Sequence, residues 1–286
     1  MSGADNTSWL SESARYLRQF AASENDNLLA AGRGSAQDEP EEAQPVGSDD
    51  TTQINLLAPE GAAESARPLP WGGQAPRPET DPVGIPDAMT CPVPGQRAER
   101  ARLLGELETA VAPCLKCALG ESRITFVFGA GDPDAGVMFI GEAPGRDEDE
   151  QGEPFVGRAG QLLTRIIEAI DFTREEVYIG NILKCRPPGN RDPQAGEVEA
   201  CEPYLHRQIE LIQPKVICAL GRIAGQTLLR TTAPLGTLRE QVHRYRGCPL
   251  VVTYHPAALL RNPNWKRPTW EDIQLVREIH DREDTR

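Results

Sequence analysis

Residues 136–170 read GVMFIGEAPGRDEDEQGEPFVGRAGQLLTRIIEAI. The opening run GVMFIGE (136–142) is apolar at consecutive positions and ends in glycine, the pattern of a strand buried on both faces that opens onto a loop. GQLLTRIIEAI (160–170) reads as a helix. The alternation then repeats. VYIGNILK (177–184) is a strand, VEACEPYLHRQIELI (198–212) a helix, KVICAL (215–220) a strand and GRIAGQTLLR (221–230) a helix. PLVVTYHP (249–256) is a further strand and WEDIQLVREIH (270–280) a last helix, while ERARLLGELETAV (99–111) precedes the whole series as a helix. Strands alternating with helices predict an α/β protein: a three-layer α/β/α fold with a central, mainly parallel sheet. Sites in such sheets form in the loops beyond the C-terminal ends of the strands. Between strand and helix, Asp147, Asp149 and Glu150 read as a solvated acidic turn.

Before this domain the composition changes. Residues 1–22 hold Leu10, Ala14, Leu17 and Ala21 at helical spacing behind Thr7 and Ser8 as caps, with Trp9 and Phe20 beside the stripe. This predicts a short amphipathic helix, either docked on its own domain or recruiting a protein partner. Residues 23–95 are acidic and rich in Pro, Gly and Ala, with few aromatics. Such a segment buries too little apolar surface to offset the entropy of ordering, so it reads as a disordered linker. The folded domain is expected over 96–286.

Net charge is −13, but residues 1–96 hold 15 acidic and 5 basic side chains, which leaves the remainder at only −3. A nearly neutral domain can concentrate cations on one face, so the acidic whole does not exclude a nucleic-acid partner. No apolar run approaches a membrane span and the N-terminus shows no export pattern, so no membrane role is expected. Seven cysteines without an export signal favour reduced thiols and ligation over disulfides, which predicts a cytoplasmic protein; a monomer is expected.

Four of those cysteines are spaced as a frame. Cys114 and Cys117 form a CxxC, Cys185 lies in NILKCRPPGNR (181–191), and Cys201 opens CEPYL. Two close and two distant thiols can enclose one tetrahedral metal or one cubane iron–sulfur cluster, and spacing leaves zinc and iron both open. Of the others, Cys218 reads as a small buried hydrophobe, Cys91 lies in the linker, and Cys248 has no evident partner.

With GEAPGRDEDEQGEPFVGRAGQLL (141–163) before that frame and TYHPAALLR (253–261) after it, the chain from about Cys114 onward resembles the type-4 uracil-DNA glycosylases. These are the iron–sulfur branch of the uracil-excision superfamily. The resemblance implies a [4Fe–4S] cluster on Cys114, Cys117, Cys185 and Cys201. It also implies a partner, uracil-containing DNA in single- or double-stranded form, and a base-excision role in a prokaryotic-type cytoplasm, at the nucleoid during repair. The reaction is hydrolysis of the N-glycosidic bond after the base is flipped from the stack.

The resemblance also distributes roles. Asn181 would read the uracil edge, because a carboxamide matches the imide N–H and adjacent carbonyl while cytosine reverses that pattern. Phe155 would stack on the base. His255 would donate to the 2-oxo group and stabilise the leaving anion. Glu142 would position water or stabilise the sugar cation, although the best-known branch has an Asp at the place of Ala143. Glu148 would stand near the uracil 5-position and help exclude thymine, with Gly141 and Gly145 permitting close backbone approach. Leu259, with Leu260 and Arg261, would wedge into the vacated stack and hold a phosphate.

Other classes fit less well. A uracil-DNA-binding sensor with little turnover would not need Asn181, Phe155 and His255 together. A glycosylase that traps its product covalently through histidine would carry His at 185 and a basic insertion after it. A zinc hydrolase needs an open coordination position, which four thiolates do not leave.

Overall fold

The computed structural model describes residues 97–239 and 241–283. The expected N-terminal helix over 1–22 and linker over 23–95 lie outside the described residues. In chain order the elements are α1 (Arg97–Val111), α2 (Leu119–Ser122), β1 (Ala130–Gly131), β2 (Val137–Gly141), α3 (Arg146–Gln151), α4 (Arg158–Glu168) and β3 (Tyr178–Asn181). There follow α5 (Ala195–Ile212), β4 (Val216–Leu220), α6 (Arg222–Leu229), α7 (Leu235–Arg239), β5 (His243–Tyr245), β6 (Cys248–Thr253), α8 (Pro256–Arg261) and α9 (Lys266–Glu283). Single 3-10 turns occupy Pro188–Asn190 and Pro263–Trp265.

The six strands form one sheet in the order β1-β3-β2-β4-β6-β5. The inner pairs β3/β2, β2/β4 and β4/β6 are parallel, and short antiparallel strands close both edges. Alternate residues of the central strands feed two cores. Met138, Ile140, Ile217, Ala219, Leu250 and Val252 face the layer built by α1, α5, α6 and α7. Val137, Phe139, Val216, Cys218, Leu220 and Val251 face α4 and α9. The period-two alternation of a strand therefore explains why these runs are apolar throughout: each face meets helices. Cys218 is fully buried in the second core.

Two local expectations change. The acidic turn is helix α3, in which Asp147, Glu148 and Asp149 occupy the first turn, where negative charge complements the helix dipole. Asp149 is not solvated; it is buried, and its Oδ1 accepts from the backbone N–H of Ile124 at 2.9 Å and of Thr125 at 3.3 Å. Hairpin β5–β6 turns at Arg246 and Gly247, both at positive φ, as a two-residue reversal requires.

Candidate active site

Parallel pairing puts the ends of β2 and β3 side by side, with Gly141 opposite Asn181. His255 follows β6 by two residues and begins α8. Between them opens a cavity of about 420 Å3, lined by Glu142, Ala143, Glu148, Phe155, Asn181 and His255 among others. Gly141 packs directly against two of these lining residues: a methyl group there would collide with the Asn181 amide oxygen and the Phe155 ring.

Asn181 is 2% exposed, and its Oδ1 has no hydrogen-bond partner among the described residues. A buried, unsatisfied amide oxygen is costly unless something else supplies a donor. Phe155 is buried at a left-handed φ of 55°, an unusual conformation for an aromatic residue. Its neighbours hold it there. Glu148 Oε1 accepts from the N–H of Val156 at 3.0 Å and of Gly157 at 3.1 Å, while Oε2 accepts from Gly145 N–H at 3.0 Å. Gly160 lies against the Phe155 carbonyl with no room for a side chain, and Arg174 donates to the Pro154 carbonyl. Glu148 lines the cavity, and it also clamps the loop that presents Phe155.

The Phe155 and His255 rings lie 5.5 Å apart at a 31° tilt. His255 caps α8, its Nδ1 accepting from Ala257 N–H at 3.1 Å. Neutral imidazole carries one proton, so that bond places it on Nε2. Burial, and then the nearby Arg261 charge, lower the His255 pKa to about 4. Glu142 moves the other way: burial first, then Asp192, raise its pKa to about 7, with Arg222 opposing. Asp192 pairs with Arg222 at 3.2 Å.

Arg261 is exposed and lines the cavity. Leu259 does neither. It is 2% exposed and sits in the interior, so it cannot enter a base stack without unpacking α8. In this conformation the expected wedge has almost no exposed surface to act from. Leu260 is half-buried. Asn190, Arg191 and Asp192 also line the cavity, a placement not read from their residue types. The signal was available: Asn190 and Arg191 end the same NILKCRPPGNR segment as Asn181, with Asp192 next, and that segment leaves β3, passes Cys185 and returns to the cavity through the 3-10 turn.

The four frame cysteines are free thiols in one part of the first core, Cys185 and Cys201 buried and Cys114 and Cys117 packed against them. Among the described residues no group of three or more Cys, His, Asp or Glu side chains is drawn into a ready metal cage. Anionic ligands close on a metal as it binds, so the fit is tested by what surrounds the sulfurs. Arg123 Nη1 reaches Cys185 Sγ at 3.4 Å, Lys184 N–H reaches Cys201 Sγ at 3.2 Å, and Tyr204 O–H reaches Cys114 Sγ at 3.2 Å. The Lys184 ammonium is fully buried, donates to Gln208 Oε1 at 2.6 Å, and has no carboxylate partner among the described residues. A buried cation without a carboxylate, on a residue whose backbone meets the Cys201 thiol, suits a thiolate-bound group of net negative charge. The residues fit such a group. In its absence, burial raises the thiol pKa of Cys185 and takes that of Cys201 to about 12.

A layered α/β sheet with an open pocket at its strand ends, walled in part by Phe155 and His255, is the setting in which such folds bind ligands, and comparison with known proteins narrows the class. The family described as the uracil DNA glycosylase superfamily matches residues 128–274. A type-4 uracil-DNA glycosylase of Sulfurisphaera tokodaii is 44% identical over 187 residues, 62% of this chain and 84% of the relative. Those of Saccharolobus solfataricus and Thermotoga maritima are 46% and 38% identical, covering 59% and 62% of this chain and 82% and 95% of the relatives. The chain belongs to the uracil DNA glycosylase superfamily, in its type-4 branch.

Proposed function

We propose that this protein is a uracil-DNA glycosylase of base-excision repair, which flips uracil from DNA and hydrolyses its N-glycosidic bond to leave an abasic site. The observation that carries this reading is the unpartnered Oδ1 of Asn181, buried in the wall of a 420 Å3 cavity beside Phe155 and His255. Uracil N3–H would supply the missing donor, and the Asn181 amide N–H would meet O4. Cytosine offers an acceptor and an amine at those places and leaves both ends of the amide wrongly paired.

Each remaining side chain then has a job. Phe155 stacks on the base. As the N1–C1′ bond breaks and its electron pair moves onto uracil, neutral His255 donates Nε2–H to O2 and stabilises the anion where charge develops. Ionised Glu142 orients water toward C1′ and takes its proton. Arg261 holds a phosphate at the mouth. Cys114, Cys117, Cys185 and Cys201 would hold the [4Fe–4S] cluster, whose contribution is structural: it fixes the segment running from Asn181 through Cys185 to Asp192. Among the described residues no helix is long and apolar enough to cross a membrane. The reading places a monomer in the cytoplasm, working on single- or double-stranded DNA.

The direct test incubates the protein with matched oligonucleotides containing uracil or thymine and then cleaves abasic sites with alkali. Strand breaks only in the uracil substrate are expected, and intact uracil strands would overturn the reading.

A further inference from the structure

We propose that Trp265 is a stacking platform for a nucleobase of the DNA strand that flanks the extruded uracil. This rests on the glycosylase reading of the neighbouring cavity. Trp265 is a large apolar residue left 36% exposed, and its ring lies flat on Tyr254 with centroids 4.8 Å apart and planes within 5°. Tyr254 directly precedes His255, so the stack and the cavity wall share one stretch of backbone.

The support beneath it is rigid. The Arg239 guanidinium lies 4.6 Å from the Tyr254 ring centre. Asp272 grips Arg239 at 2.7 and 3.1 Å and accepts from the buried Thr253 hydroxyl at 2.6 Å. Arg239 also donates to the Pro268 carbonyl at 2.8 Å. Asn262 Oδ1 accepts from Asn264 N–H at 3.2 Å, and the Trp265 carbonyl accepts from the Thr269 hydroxyl at 2.8 Å. The indole is therefore positioned before any partner arrives, which lowers the entropy lost on stacking.

The surroundings are cationic. Arg261 lines the cavity at the end of α8, and Lys266 and the highly exposed Arg267 follow Trp265 at once. Arg267 makes a surface pair with Glu271 at 3.3 Å, which an incoming phosphate can replace at little cost. An aromatic face set among basic side chains is the arrangement that holds single-stranded nucleic acid, cations tracking phosphates while the ring takes a base. Leu259 is buried and unavailable as a wedge, so α8 itself offers no large exposed apolar side chain, and the next one along the chain is Trp265. In a duplex most bases already have stacking partners. The gain should therefore be larger on single strands.

The test uses the full chain and a labelled, uracil-free single-stranded oligonucleotide, so that it stands independently of excision. Base–aromatic stacking contributes about 1–3 kcal/mol, so Trp265→Ala should weaken binding roughly tenfold to a hundredfold. Its salt dependence should match the parent's, because no phosphate contact is lost. Arg261→Ala should instead flatten the log–log salt slope by about 0.7. Trp265→Tyr should restore most of the affinity. Unchanged binding by Trp265→Ala would overturn the proposal. So would a loss that Tyr does not rescue and that comes with a lower melting temperature, since that marks a structural stack. A parent protein that binds the strand yet leaves uracil uncut would instead defeat the glycosylase reading and leave the platform standing.

Discussion

Asn181 occupies the interior with an amide oxygen that nothing in the described protein satisfies, and its replacement separates recognition from folding. Asn181→Asp puts a carboxylate opposite uracil O4, where two acceptors repel and a buried charge goes unpaired; the cost is several kcal/mol. Uracil excision should fall by roughly a hundredfold or more, and any new activity should appear on cytosine, measured on matched oligonucleotides. On the proposed reading His255 acts in the chemical step instead. Removing one donor aimed at a developing anion costs about 10²–10³ in rate, so His255→Ala should slow single-turnover cleavage and leave DNA affinity largely intact. On the same reading the two perturbed groups set the expected pH profile. With its pKa near 4, His255 is neutral through the neutral range, whereas Glu142, raised to about 7, gains its charge only as pH rises through that value. Cleavage should therefore climb with pH around 7. Asp192 is part of the cause, so Asp192→Asn should lower the Glu142 pKa and move the rising limb to lower pH. A profile that stays in place would remove Glu142 from the water-handling role.

At the scale of elements, the strands were readable because each face of the sheet is covered, and VMFIG and VICAL have no polar gap that a helix or loop reading could use. Helix α3 was not, because RDEDEQ contains no apolar side chain and its order comes from side-chain-to-backbone bonds that no periodicity records. Hairpin strand β5 is three residues, HRY, too short and polar to stand out. Leu259 shows a different limit. Sequence order placed it correctly after His255, but burial depends on how α8 lies against α4, and neighbouring Leu260 has the same chemistry. Leu259→Ala should thus act on stability, by about 2–5 kcal/mol as other buried leucines do, with a lowered melting temperature and no special defect on duplex substrate. Glu148 ties α3 to the Phe155 loop through the N–H groups of Val156 and Gly157, and its other oxygen accepts from Gly145 at the start of α3. Glu148→Gln keeps the shape but exchanges one acceptor oxygen for a donor facing those groups. Charge-assisted bonds of this kind contribute roughly 1.5–3 kcal/mol, so kcat/KM should drop about tenfold to a hundredfold while the fold survives.

Across the whole molecule, the sheet divides two tasks between its faces and its end. The pocket lies where the parallel strands finish, and the four cysteines lie in the first helical layer, joined to it by the segment from Asn181 to Asp192. The cysteine spacing was legible from the sequence, but Lys184 was not, since one lysine in NILKC gives no sign that its ammonium lies fully inside. That burial yields a prediction about the molecule as a unit. On the proposed reading, with thiolates holding a cluster of net negative charge, the buried Lys184 ammonium would serve as its counter-ion; Lys184→Met removes that charge and keeps the volume. Without bound metal the same change relieves an unpaired buried cation, and the metal-free protein should then be no less stable than the parent. In protein purified anaerobically, the parent should hold about four irons per chain, and the Met variant should release them faster to a chelator. Iron content, visible absorbance and melting temperature, each measured with and without the chelator, follow the effect independently of activity. Equal iron release from both proteins would deny Lys184 that role, and stoichiometric zinc in a colourless parent would deny the cluster itself.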